Sequence, residues 1–248
     1  MASHSSLNIV FVVAADLPEG GGNTSRLKSL TAAIQALGHQ VHILVEHSLG
    51  NAPTEVLKPE GEVGGVPFSY VLGKVEKPEG LKFLTDKWKG TRAISKKIEE
   101  LHRRRPVDIV WFNQLAAREI LLITRTARRL GAKTVHSYED ERMRGKGLKR
   151  QLIFANQHIA DRYLSNTADA LVVISQYLEE KYQKYTRGNI PIFLVPTIID
   201  ANHWEVGEED LAQTPRLLYA GSFFGFDEIE GVLEAVAQLQ SGGLSLQF

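Results

Sequence analysis

The chain has 248 residues, 43% of them apolar, enough for one well-buried domain with chain to spare or for two small ones. Lys+Arg and Asp+Glu are equal at 29 each, so no net field draws the protein toward nucleic acid or membrane. Cysteine is absent, which excludes disulfides, thiol chemistry and thiolate-bound zinc. The opening residues Met1 to Asn8 lack the basic flank and apolar stretch of a signal peptide, and no apolar run approaches the roughly 20 residues that span a bilayer. A cytoplasmic α/β protein is expected.

Leu7 to Val13 is apolar almost throughout, as a strand buried on both faces should be. A glycine loop follows, then a helix from about Thr24 with Leu27, Leu30, Ile34 and Leu37 on one face and Gly38 as its stop. Val41 to Val45 is a second strand. Gly64 to Leu72 suggests a turn and a strand; Trp88, Ile94, Ile98 and Leu101 mark a helix that Pro106 ends. A strand at Val107 to Phe112, a helix at Leu115 to Leu130 and a strand at Lys133 to His136 come next. After the polar stretch Ser137 to Arg150, a helix ends near Thr167. Then come a strand at Ala170 to Ile174, a helix from Gln176, and a strand at Ile192 to Val195.

This alternation predicts an α/β fold, a Rossmann-like parallel sheet with helices on both faces. The expected divisions are a domain at 1–200, a polar linker at 201–215, and the start of a second Rossmann-like domain at 216–248. That second part reads as a strand at Arg216 to Ala220, a helix at about Asp227 to Gln240, and an unfinished apolar strand at Leu244 to Phe248. An exposed strand edge promotes aggregation, so truncation of a longer chain is the simpler expectation. The helix's apolar face (Ile229, Val232, Leu233, Val236, Leu239) then needs a partner surface, or the helix is poorly ordered.

The segment Gly20-Gly21-Gly22-Asn23-Thr24-Ser25-Arg26 opens the first helix. Glycines allow positive φ and close backbone approach, and a helix N-terminus offers unpaired N–H groups to a phosphate or a sugar hydroxyl. The spacing is neither G-x-G-x-x-G nor a Walker loop, which disfavours a dinucleotide or ATP site. A flexible βα loop capped by Thr24 or Ser25 reads equally well.

Gly21-Gly22 with Arg26 and Leu30, and then Leu37 to Val41, begin a longer pattern. Val107 to Val110, Thr134 to His136, Ala168 to Ser175 and Val195 to Asp200 follow in order, then Leu217 to Ser222 and Val232 to Val236. Together they resemble the family-4 retaining glycosyltransferases of the two-domain GT-B fold: a complete N-terminal acceptor-side domain and an incomplete donor-side one.

The resemblance implies transfer, with retention, from a nucleotide-diphosphate sugar to a glycan, lipid-linked or small-molecule acceptor. No tightly bound cofactor or metal is implied. It puts Gly20, Gly21, Gly22, Asn23, Arg26, Ser175, Gly221 and Ser222 near the donor or substrate. His136, at an expected strand end, orients the reacting sugar, and Asp140 is the choice among the acidic trio Glu139, Asp140 and Glu141. For Ser175, capping of the next helix is the larger share of its role. The family's donor-domain arginine and lysine fall at Ser222 and near Asp227, so both cations are missing.

Two further readings stay open. One is an isolated chain that is inactive or needs a separate donor-domain polypeptide; the other is a non-catalytic glycan-binding or regulatory module. The basic stretch at 142–150 reads first as a solvated loop and second as a surface for an anionic acceptor or a membrane, which would make the protein peripheral there. Arg103 to Arg105 balances a helix dipole. Neither basic run interleaves aromatics, so nucleic acid is not expected, and the eight histidines show no metal-ligand spacing.

Overall fold

The computed structural model describes residues 5–77, 80–113, 115–140, 147–198 and 229–243. The chain divides into two compact units, Met1–Asp200 and Ala201–Phe248.

The first unit carries eight strands: β1 (Asn8–Val13), β2 (Gln40–Val45), β3 (Glu60–Val63), β4 (Val66–Tyr70), β5 (Ile109–Asn113), β6 (Lys133–Tyr138), β7 (Ala170–Val173) and β8 (Ile192–Leu194). They form one sheet in the order β3-β4-β2-β1-β5-β6-β7-β8. Every pairing is parallel except β3 against β4. Its helices are α1 (Gly22–Ala36), α2 (Gly80–Arg104), α3 (Ala117–Arg129), α4 (Leu148–Ile159) and α5 (Gln176–Thr186). A π-helical stretch at Ala160–Leu164 and a 3-10 turn at Ser165–Thr167 prolong α4 toward β7.

β1 explains why two helical layers form. All six of its residues are buried, and successive side chains point to opposite faces of the sheet. Ile9, Phe11 and Val13 join Leu27 and Leu30 of α1 in one core. Val10 and Val12 join Ile94 and Ile98 of α2 and Ile120 and Ile123 of α3 in another. Each such side chain contributes about 1.5–3 kcal/mol by leaving water. A smaller third core gathers Tyr138, Leu171, Val173, Leu178 and Tyr182 under α5.

Several boundaries differ from expectation for identifiable reasons. Leu37 is 77% exposed because it is the C-cap of α1 rather than part of the buried stripe, and Gly38 takes a left-handed φ of 86° beyond it. The expected single strand after Gly64 is half of a hairpin. Gly64 and Gly65 hold φ of 58° and 76° between β3 and β4, a conformation that glycine adopts without strain and that suits a two-residue turn. α2 begins well before Trp88, and β6 runs two residues past His136.

In the second unit, α6 (Ile229–Ser241) buries Val236 while Val232, Leu233 and Leu239 are 44–49% exposed. The expected linker, the strand at 216–220 and the chain's last strand lie outside the described residues. Among the described residues, no helix is long and apolar enough to cross a membrane.

Candidate functional site

The chain runs outward from β1 through β2 to β4 and β3, then returns to the other side of β1 to build β5 through β8. Parallel sheets of this kind bind ligands at the carboxyl ends of the strands, beside the point where the order reverses. The loop after β1 lies there.

That loop is pinned from three directions. Asp16, 1% exposed, accepts hydrogen bonds at Oδ1 from Ser48 Oγ (2.5 Å), Leu49 N (2.8 Å) and Gly50 N (3.2 Å), and at Oδ2 from Asn51 N (2.8 Å). Its own carbonyl accepts from Thr24 Oγ1 (2.8 Å). Tyr70 Oη donates to Ala15 O (3.2 Å) and accepts from Leu17 N (3.0 Å). Asp16 thereby ties the loop after β1 to the loop after β2.

The three glycines divide the work. A Cβ on Gly20 would stand 2.3 Å from Thr24 Oγ1 and 2.7 Å from Asp16 O, whereas one on Gly21 or Gly22 would meet nothing within 4 Å. None of the three has positive φ, so the expected left-handed turn is replaced by close approach at Gly20 alone. Gly21 is the N-cap of α1 with no side-chain hydrogen bond, and Gly21, Gly22 and Asn23 are exposed. Thr24 does not cap the helix, because its hydroxyl is committed to Asp16. The open N-terminus can present backbone N–H groups to an anion. Gly20→Ala should lower unfolding stability by about 1–3 kcal/mol through forced displacement, while Gly21→Ala and Gly22→Ala stay within about 0.5 kcal/mol. Urea titration of the three variants checks the ranking.

Arg26, 5% exposed, is engaged by the protein itself. Its Nε donates to Glu139 Oε1 (3.1 Å), Nη1 to Pro196 O (2.7 Å) and Nη2 to Val195 O (2.9 Å). Asn113 Nδ2 donates to the same Glu139 oxygen (3.0 Å). Burial pushes the Glu139 carboxyl up, and the Arg26 guanidinium pulls it back. This cluster joins α1, the ends of β5 and β6, and the chain leaving β8. Glu139 turns inward and Asp140 beside it is exposed, while Glu141 lies outside the described residues.

His136 is not at a strand end. It sits within β6, paired in register with Phe112 and Leu171, and is wholly buried. Its ring lies 4.7 Å from that of Phe112 and 4.0 Å from that of Tyr138. Neither ring nitrogen has a hydrogen-bond partner. Desolvation lowers its pKa to about 3, so the ring is neutral at pH 7. The expected histidine facing a cleft is therefore corrected to a core residue, because β6 continues through Ser137 and Tyr138. Ser175 caps α5 by accepting from Leu178 N (3.3 Å). Gly221, Ser222 and Asp227 lie outside the described residues, as do residues 142–146 of the basic stretch.

Asp16, Glu46 and Glu119, all at most 4% exposed, are buried carboxylates that no motif in the sequence marks. Asp16 stands three residues past β1 and Glu46 directly past β2; a carboxylate just past an apolar strand was the available signal. Among the described residues, no group of three or more His, Asp or Glu side chains could hold a metal ion.

Residues 21–197 match a family model described as a glycosyl transferase 4-like domain. In fold, the chain is similar to a sucrose-phosphate synthase from Thermosynechococcus elongatus. The TM-score is 0.67 at 14% identity, over 94% of this chain and 60% of that one. It is similar also to HepE from Anabaena in complex with UDP, with TM-score 0.51 at 11% identity, over 98% and 68% of the two chains. UGT2 of Phytolacca americana, complexed with UDP-2-fluoro-glucose and pterostilbene, gives TM-score 0.52 at 11% identity over 80% and 56%. The chain thus spans about 60% of the synthase's length. No curated protein matches it in sequence. At these identities the likeness shows the fold, a Rossmann-like sheet of the GT-B type.

Proposed function

The chain belongs to the glycosyl transferase 4-like domain family, and from that premise we propose that it forms the acceptor-side half of a transferase using a nucleotide-diphosphate sugar. The acceptor is a glycan, a lipid-linked sugar or a small molecule, and transfer proceeds with retention of anomeric configuration. The observation that carries this reading is the exposed, side-chain-free N-terminus of α1 at Gly21 and Gly22, held in place by Asp16 beside the switch point of the sheet. A helix N-terminus there favours a diphosphate oxygen without needing a cationic side chain. UDP in the similar HepE structure supports the choice of ligand class.

His136 contributes to this function only through the core beneath the site. Its neutral, enclosed ring cannot exchange a proton with a substrate without rearrangement of β6. Asp140, exposed just past the end of β6, keeps its proposed place near the substrate. Gly221 and Ser222 are proposed for the donor side.

The 248-residue chain is expected to turn over little nucleotide sugar by itself. Serine and an acidic residue stand at 222 and near 227, where the family places cations, and removing one preorganised electrostatic donor costs about 2.7–4 kcal/mol of barrier. One observation favours the non-catalytic reading: Arg26, the cation nearest the glycine loop in sequence, is occupied by Glu139 and two carbonyls.

A panel of UDP- and GDP-sugars, assayed with this chain alone and with a donor-domain polypeptide added, separates these readings. Activity restored by the partner, giving a product of the donor's anomeric configuration, is the expected result. Inverted product would remove retention from the proposal, and failure of every combination would leave the binding module.

A further inference from the structure

Five large apolar side chains, Trp88, Leu121, Leu152, Ile159 and Tyr163, are between 47% and 63% exposed on the outer side of one helical layer. α2 and α3 lie side by side there and run the same way: Trp88 meets Arg118, and farther along Thr126 Oγ1 donates to Ser95 Oγ (3.1 Å). α4 and its π-helical continuation pack beside α3, and Arg128 Nη2 ties α3 to Thr167 O (2.9 Å) in the turn that follows. Leu152, Ile159 and Tyr163 recur on one side of α4 and its continuation, an apolar stripe turned toward water. An amphipathic helix ordinarily points such a stripe at the core.

Cations stand among these groups. Arg92 and Arg118 stack on the Trp88 ring, their guanidinium carbons 3.5 and 4.6 Å from its centroid. Arg125, one turn beyond Leu121 on α3, is exposed. Among the described residues none of the three meets a carboxylate, whereas the acids of the same helices are engaged. Asp86 pairs with Lys74 (3.6 Å), Glu100 with Lys97 (3.0 Å) and Glu99 with Arg129, and Glu119 is buried 3.8 Å from Lys87. α4 contains no acidic residue. A chain of zero net charge thus gathers uncompensated positive charge and exposed apolar groups on one face. A second copy docking symmetrically would set arginine against arginine. Nucleic acid would satisfy the arginines and leave Leu152 and Ile159 unanswered. An anionic lipid surface takes both: phosphates for the arginines, the interfacial layer for Trp88 and Tyr163, and acyl chains for the aliphatic groups.

We propose that the outer face of α2, α3 and α4 docks on an anionic lipid surface, which makes a lipid-linked sugar the acceptor class. α3 begins just past the carboxyl end of β5, so the Arg118 end of this face reaches the edge of the sheet where the glycine loop stands. An acceptor carried in the bilayer is then delivered to that edge. The basic stretch at 142–150 runs into α4 in sequence and adds charge of the same sign. The acceptor assignment rests on the transferase reading; the docking face does not.

Co-sedimentation of the 248-residue chain with vesicles tests this, using phosphatidylcholine alone and phosphatidylcholine mixed with phosphatidylglycerol in equal parts. Partition onto the mixed vesicles should be at least about a hundredfold stronger, with each arginine near the charged surface contributing about fivefold. Arg118→Gln with Arg125→Gln should lower it about twentyfold, and Leu152→Gln with Ile159→Gln about tenfold. Far-UV circular dichroism checks that both pairs fold; Arg125→Gln alone, at an exposed position, should still lose about fivefold. Tryptophan emission should shift to the blue on mixed vesicles, and Trp88→Phe should remove most of that shift. Equal partition onto the two kinds of vesicle, no partition, variants that partition like the parent, or binding as tight to duplex DNA or to polyglutamate would each overturn the docking face. The nucleotide-sugar assay reads the transferase proposal separately: its failure removes the acceptor assignment and leaves the vesicle result standing.

Discussion

Asp16→Ala should lower the unfolding free energy by about 4 kcal/mol, and Asp16→Asn by about half as much. The carboxylate is 1% exposed and serves four donors, three of them consecutive main-chain N–H groups at Leu49, Gly50 and Asn51. Hydrogen bonds to a charged group contribute about 1.5–3 kcal/mol each. The total is smaller than their sum, because the unfolded chain hydrates the carboxylate and water can reach part of the freed loop. Asparagine keeps one oxygen acceptor but brings an N–H₂ group against N–H donors. Urea unfolding of both variants measures the difference, and losses under about 1 kcal/mol would show that the loop holds without its anchor. Because the loops after β1 and β2 share this residue, the glycine N-terminus and the segment from Ser48 to Asn51 should loosen together.

The second large effect is acid sensitivity centred on His136. Its folded pKa of about 3 lies below the ordinary imidazole value of 6.5, so the unfolded chain binds a proton through that window and the folded chain does not. Stability from this group is complete above pH 6.5 and falls as the pH drops toward 3. Near pH 4.5 the loss should reach about 3 kcal/mol, at 1.36 kcal/mol per unit. His136→Leu, of similar volume, should remove this component. It should also add about 1–2 kcal/mol at pH 7, because two buried nitrogens without partners are replaced by carbon. Melting temperature against pH for the parent and the variant checks the claim: the gap between the curves should widen on acidification. Parallel curves would mean that the ring already meets water or a proton donor.

Much of the fold was readable because its signals are local. Leu7 to Val13 and Val41 to Val45 are short β-branched runs, and Ile120, Ile123 and Ala127 recur at helical spacing, so each element follows from its own residues. The order of weak motifs from Gly21 to Val236 was also legible, and the family match covers the part of it within residues 21–197. The hairpin of β3 and β4 was half missed. Glu60-Gly61-Glu62-Val63 carries little strand signal of its own and becomes a strand by pairing with Val66 to Tyr70.

The site was less legible, since its meaning depends on where strands stop and what lies across from them. His136 reads as a strand end until Ser137 pairs with Asn113 and Tyr138 with Val173, which extends β6 and encloses the ring. Arg26 reads as a ligand-binding cation until the chain 169 and 170 residues later returns two carbonyls to it. Glu46 and Glu119 are unremarkable acids until β2 and α3 bring the two buried carboxyls within electrostatic reach of each other. The sequence by itself determined the alternating elements, the sheet-forming apolar runs and the family, because periodicity and turn residues act over a few positions. Only the tertiary structure decided which charges are spent within the fold and which oxygens still lack a donor, because burial and pairing are set by residues far apart in the chain.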